Sequence, residues 1–170
     1  FMPKSPKGKT AEAWVAMAAA KKDVRKYLRF VHSNGFEIVA TDGHRLHLAP
    51  GFLPRGLYDP VTYVKLWDLY EDCESVPEGH PGKFPDYRRI VPVRDTVPLT
   101  EIESQVVEKQ TVRLTQGEIV AYFIPEYIEA AKLFCTRGGL EDPSRSMLLE
   151  GDAGRIAVVS PQRYGKAVTK

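Results

Sequence analysis

The spacing of apolar residues changes period several times along the chain. Residues 11–22 set Trp14, Val15, Met17 and Ala18 at helical spacing in an alanine-rich run, and Thr10 stands at the N-cap position. A helix is predicted there, with Lys21 and Lys22 at its negative end. Residues 24–32 fit either a continued helix or a strand. Tyr27, Phe30 and Val31 favour a strand, and Ser33-Asn34-Gly35 is a hairpin turn. Strands are therefore predicted over 24–32, 36–41 and 44–49. The last two flank Asp42-Gly43, where glycine tolerates positive φ and aspartate can bond its own backbone.

Residues 50–56 carry several breakers and read as a loop. Residues 57–66 read as strand, turn and strand around Asp59-Pro60, and 67–73 either extend that strand or form a short turn. Residues 75–83 read as loop. Pro85 keeps residues 84–89 out of a central strand, because it has no backbone donor. Further strands are predicted over 106–113 and 117–123. Pro125 and Glu126 suit the start of a second helix, whose apolar stripe runs to Cys135 and ends at Gly138-Gly139. Residues 140–145 form a polar loop. A last hairpin pairs 146–150 with 155–160. Helix followed by hairpin, twice, predicts an α+β domain over 10–170, with halves of roughly 10–92 and 93–170 and a flexible arm at 1–9.

Composition narrows the class. With 43% hydrophobic residues and no long apolar run, the 170 residues suit a soluble domain with a real core and no membrane span. The well-separated Cys73 and Cys135 form no CxxC pair, and no apolar segment follows the basic start. Both features predict reduced thiols and a cytoplasmic location. Phe1 before Met2 reads as a tag remnant. The net charge of +2 hides an uneven distribution. The first thirty residues and the last sixteen are basic, whereas Asp68, Glu71, Asp72, Glu74 and Glu78 make the middle acidic.

Three stretches carry a family likeness. Ala40-Thr41-Asp42-Gly43-His44-Arg45-Leu46 resembles a signature of the bacterial sliding clamp, the β subunit of the replicative DNA polymerase. The segment from Gly82 through Phe84-Pro85-Asp86-Tyr87-Arg88-Arg89 to Pro92 resembles the end of the clamp's second domain. Val158-Val159-Ser160-Pro161-Gln162-Arg163 resembles its C-terminal Val-Val-Met-Pro-Met-Arg. The resemblance implies a clamp-like fold, with two helices on antiparallel sheets and a helix-plus-strands repeat. It also implies a groove for extended peptides of polymerase or repair proteins. Carried over position by position, that groove takes Thr41, Gly43, His44, Arg45 and Leu46 from the hairpin. Pro85, Arg89 and Ile90 follow from the middle segment, and Val159, Ser160, Pro161 and Arg163 from the last. Its apolar members would line a cleft and its arginines would bond peptide carbonyls or acidic side chains. Ser160 and Gln162 replace the two family methionines, which predicts a shallower or more polar pocket.

The same resemblance implies sequence-independent contact with double-stranded DNA through helix-borne cations. Lys21 and Lys22 are assigned to the first helix, and Lys132 and Arg137 to the second. Clamp chains carry three domains, so a ring of single domains would need about six copies and make the protein a homo-oligomer. The alternative is a clamp-derived binding module or inhibitor that does not encircle DNA. No cofactor is expected. The chain has no Walker loop, HExxH or Gly-x-Ser-x-Gly, and Asp42 and His44 alone make a poor hydrolase, so no catalytic residues are assigned. His44 and His47 alternate faces on a strand and cannot share a metal easily.

Overall fold

A computed structural model describes residues 10–70 and 76–163. The chain divides into two compact units, Phe1–Tyr87 and Arg88–Lys170. The change falls five residues before the expected boundary.

In the first unit, helix α1 (Ala11–Ala16) starts as predicted, with the Thr10 hydroxyl accepting the Ala13 N–H at 3.0 Å. It ends earlier than the alanine-rich pattern implies. Two side chains from the later strand β3 (Arg45–Pro50) take its last carbonyls. The Arg45 guanidinium donates to the Met17 carbonyl at 2.7 Å, and His47 Nδ1–H to that of Trp14 at 2.7 Å. Carbonyls satisfied from the side no longer call for another helical turn. Lys21 and Lys22 therefore lie in an exposed bend beyond the helix, not on it.

The strand expected over 24–32 survives only at its end, as β1 (Val31–Ser33). Lys26–Arg29 curl into a 3-10 turn. Asp23 drives the curl: its carboxylate accepts the Arg25 backbone N–H at 2.8 Å, and its carbonyl accepts the Arg29 guanidinium at 2.7 Å. Val24 is left 93% exposed, which is no position for a packed strand.

The β1–β2 turn closes through Asn34, whose Oδ1 accepts the N–H groups of Phe36 and Glu37 at 2.9 Å each. Strand β2 (Glu37–Thr41) pairs antiparallel with β3, Ala40 opposite His47. Two short strands, β4 (Gly56–Tyr58) and β5 (Lys65–Trp67), flank the Asp59-Pro60 turn as expected. The order across this unit is β5-β4-β1-β2-β3. Trp14, Val15, Leu28, Ile38, Leu46 and Leu57 form its core. Phe84 and Tyr87 anchor the Pro85 segment. Tyr87 donates its hydroxyl proton to Glu37 at 2.5 Å and accepts from Asn34 at 3.1 Å.

The second unit opens with β6 (Val97–Pro98), then a three-stranded antiparallel sheet of β7 (Glu103–Glu108), β8 (Thr111–Gln116) and β9 (Ile119–Phe123). The single strand expected over 106–113 is thus two, broken at the polar Lys109-Gln110 turn. Helix α2 (Pro125–Lys132) begins at Pro125 as expected and stops short of Cys135, which opens strand β10 (Cys135–Gly139). Gly138 and Gly139 do not end the helix. They let the strand pass close to its neighbours: a Cβ on Gly139 would sit 2.4 Å from the Asp95 carbonyl oxygen, and one on Gly138 2.7 Å from Met147 Cε. Arg137 accordingly belongs to a strand, not to the second helix. The final hairpin, β11 (Met147–Gly151) and β12 (Ile156–Val159), turns through Asp152–Gly154 as predicted. Strands β12-β11-β10-β6 lie side by side in that order. Phe123, Ile128, Ala131, Met147 and Leu149 form this unit's core. Cys135 is a free, buried thiol pushed up to about 12 by burial, whereas Cys73 lies outside the described residues.

Among the described residues, each unit therefore carries one α-helix followed by a three-stranded antiparallel meander, as the α+β pattern predicts. No helix among the described residues is long and apolar enough to cross a membrane.

Candidate functional site

The β2–β3 corner is braced by its own side chains. Thr41 donates its hydroxyl proton to the Arg45 carbonyl at 2.7 Å and accepts the Gly43 N–H at 3.1 Å. The Asp42 carboxylate accepts the N–H groups of His44 and Arg45 at 2.8 and 3.0 Å. Gly43 takes φ +93°, open to glycine and strained for other residues. These bonds hold Gly43 and His44 outward, and both are exposed.

Arg25 was not singled out from the sequence, yet it lies over this corner. A Cβ on Gly43 would sit 3.1 Å from its Nη2. Arg25 also pairs with Asp23, at 3.1 Å from Nε to Oδ1, and its hydrogen bonds hold that carboxyl below the usual carboxylate range. The one available signal was local, an aspartate two residues before an arginine.

The other expected groove residues differ in access. Leu46 is 1% exposed and Val159 fully buried, so both pack inward in their own units. Thr41 is buried as the brace of the corner. Arg45 lies 3.5 Å from Asp42 and donates to the end of α1, so much of its role is structural. Pro85 is half-buried in the first unit. In the second, Arg89 and Arg163 are exposed, Ile90 is 45% exposed, and Ser160 and Pro161 are half-buried. The Gln162 N–H donates to the Tyr122 carbonyl at 2.7 Å, tying the segment after β12 to β9.

Among the cations assigned to DNA, Lys21, Lys22 and Lys132 are exposed. Arg137 is exposed too, but its guanidinium donates to the hydroxyl and the carbonyl of Thr96.

The histidines have settled places. His47 stacks on Trp14, with ring centroids 4.2 Å apart, and burial lowers it to about 4. His32 stacks on Phe84 at 4.8 Å and is likewise lowered to about 4, by burial first and then by Arg55. Both are neutral at pH 7. Asp42 spends its carboxylate on turn N–H groups, and no group of three or more metal-ligating side chains occurs among the described residues.

No family model matches the sequence, and no curated protein matches it. Solved structures do. The DNA polymerase sliding clamp from Pseudomonas aeruginosa superposes with a TM-score of 0.61 at 19% identity, covering 92% of this chain and 64% of that one. The β subunit of DNA polymerase from Streptococcus pyogenes gives 0.60 at 15% identity, over 92% and 63%. The Bartonella birtlesii sliding clamp, bound to griselimycin, gives 0.61 at 15%, over 92% and 64%. The chain thus spans somewhat under two thirds of these clamps' length. At such identities the likeness establishes the fold, which is that of a bacterial sliding clamp.

Proposed function

We propose that this clamp-like protein is an accessory factor of DNA replication or repair that captures short extended peptides of its partners. The carrying observation is the braced corner at Thr41–Arg45, which presents Gly43, His44 and Arg25 on a clamp fold. That one solved clamp of this fold holds griselimycin supports reading the fold as a ligand carrier. Peptide contact is assigned to the corner, Pro85, Arg89, Ile90, Ser160, Pro161 and Arg163, while Leu46 and Val159 support their own strands from inside. Arginines suit the carbonyls and acidic groups of an extended peptide, and affinity near micromolar, about −8 kcal/mol, is expected.

Tethering to DNA is the second half of the proposal. Copies of the chain would form a closed homo-oligomer in the cytoplasm, with Lys21, Lys22, Lys132 and Arg137 meeting duplex phosphates without reading sequence. No cofactor or catalytic group enters this scheme.

Titrating a fluorescent clamp-binding-motif peptide tests the first half. The double change His44→Ala with Arg89→Ala should weaken binding about tenfold or more, as loss of hot-spot contacts does. Unchanged affinity counts against the groove. Light scattering tests the second half. A mass near six protomers supports the ring, and a monomer removes it while leaving a peptide-binding module.

A further inference from the structure

The three-stranded sheet of the second unit ends in an open strand. Among the described residues β7 has a strand neighbour on one side only, in the order β7-β8-β9. Its other side is a free edge with backbone donors and acceptors to offer. Glu103, Ser104, Gln105 and Val106 are all exposed. Their register with β8 is regular as far as Val106, and a bulge follows before Glu108. The edge usable by a further strand is therefore Glu103 to Val106.

Residues directly opposite one another in antiparallel strands share a face. Phe123 of β9, Val112 of β8 and Val106 of β7 form one such row. Phe123 is fully buried and Val112 is 5% exposed, yet Val106 is 71% exposed. The next row, Ala121, Leu114 and Ser104, repeats the pattern. The apolar face of the sheet thus runs out at β7 for want of a neighbour. On the opposite face, Glu103, Gln105, Arg113 and Thr115 border an open hollow of about 450 Å³. Arg113 there donates to Gln105, while Glu103 and the exposed Glu101 make no ion pair among the described residues.

We propose that β7 takes up an extended segment of a basic partner protein as a fourth, antiparallel strand. Strand addition supplies the backbone bonds, and alternate side chains set the choice of partner. Antiparallel pairing continues the sheet's own pattern. The partner residues opposite Val106 and Ser104 fall on the apolar face and extend its two rows. The residue opposite Glu103 falls on the face of the hollow, where Lys or Arg meets a carboxylate without a cation. Read along the partner, the pattern is apolar, any, apolar, basic. An acidic segment would set like charges against Glu103. A second copy of β7, paired two-fold about Gln105, would set Val107 against Glu103 and leave that carboxylate without a cation. The proposal does not rest on the groove at the β2–β3 corner.

The test is fluorescence anisotropy of the full chain with a labelled Thr-Val-Thr-Val-Lys-Thr peptide at low salt. Binding is expected, with the amides of residues 103–106 gaining protection in hydrogen exchange. The same peptide methylated at every backbone nitrogen should not bind, because it has no ladder donors. Val106→Lys should weaken binding about tenfold. Glu103→Lys should reverse the charge preference, so that the peptide with Glu in place of Lys binds about fivefold better than the original. Both positions are too exposed for these changes to unfold the unit. No binding by the native chain, equal binding of the methylated peptide, or an unchanged preference in Glu103→Lys would overturn the proposal. A mass by light scattering that falls in Val106→Lys would also overturn it, by giving the edge to a second copy. So would displacement of the probe by the clamp-binding-motif peptide. A chain that binds the probe but not that second peptide refutes only the groove.

Discussion

In the first unit, Arg45 follows the hairpin corner and reaches back to the helix before it, donating to the Met17 carbonyl at 2.7 Å. In the second, Arg155 follows the corresponding corner and reaches back to Phe134, just past α2, lying 4.3 Å from the ring centroid. The two units use one plan with two chemistries. A hydrogen bond to a helix-end carbonyl is directional and leaves an orphan acceptor when lost. A cation over a half-exposed ring is looser and forfeits less. The first unit reinforces its polar tie with His47 on Trp14, whereas the second relies on close backbone approach. A Cβ on Gly151 would sit 1.8 Å from the Phe134 carbonyl oxygen. All four histidines, His32, His44, His47 and His80, also fall in the first unit. The comparison teaches that each unit has an apolar core, to which the first adds buried polar ties and the second close backbone approach.

The sharpest way to break this contrast is Trp14→Ala. It removes the platform under His47 and should cost about 3–5 kcal/mol, read by chemical denaturation. Hydrogen exchange should show the loss concentrated in residues 10–70. Acidification comes next. His32 and His47 titrate near 6.5 when unfolded and near 4 when folded. The unfolded chain then binds more protons between these values, so stability is complete above about pH 6.5 and falls as pH drops towards 4, by at most roughly 3 kcal/mol per histidine. Exchange should accelerate in the first unit before the second. Equal acceleration in both would erase the distinction. Arg45→Ala should cost about 1–3 kcal/mol, because it strands the Met17 carbonyl. Arg155→Ala is the mildest, about 0.5–1 kcal/mol, and an effect as large as that of Arg45→Ala would show that the two ties are equivalent.

The hairpins were readable because turns are local chemistry. Asp42-Gly43, Ser33-Asn34-Gly35 and Gly151 to Gly154 each hold in a few residues the donors and the φ freedom their corners need. The corner of the candidate groove was readable for the same reason. Its accessible side chains were not. Leu46 and Val159 belong to the motifs that carry the clamp resemblance, but their burial depends on residues far away in the chain. The end of α1 shows the same limit, since its caps lie 28 and 33 residues from the carbonyls they satisfy. Gly138-Gly139 looked like a helix stop because glycine ends helices. In the folded chain it marks a place where Asp95 and Met147 press against a strand.

What the linear order of residues settled is the α+β alternation, the position of most turns and the family likeness, all written in short-range patterns. What only the tertiary structure decided is where each helix stops, which strand each glycine serves, and which of the likeness-bearing side chains face solvent. Those outcomes turn on long-range satisfaction of carbonyls and on excluded volume between segments distant in sequence, and neither is visible until the chain has closed on itself.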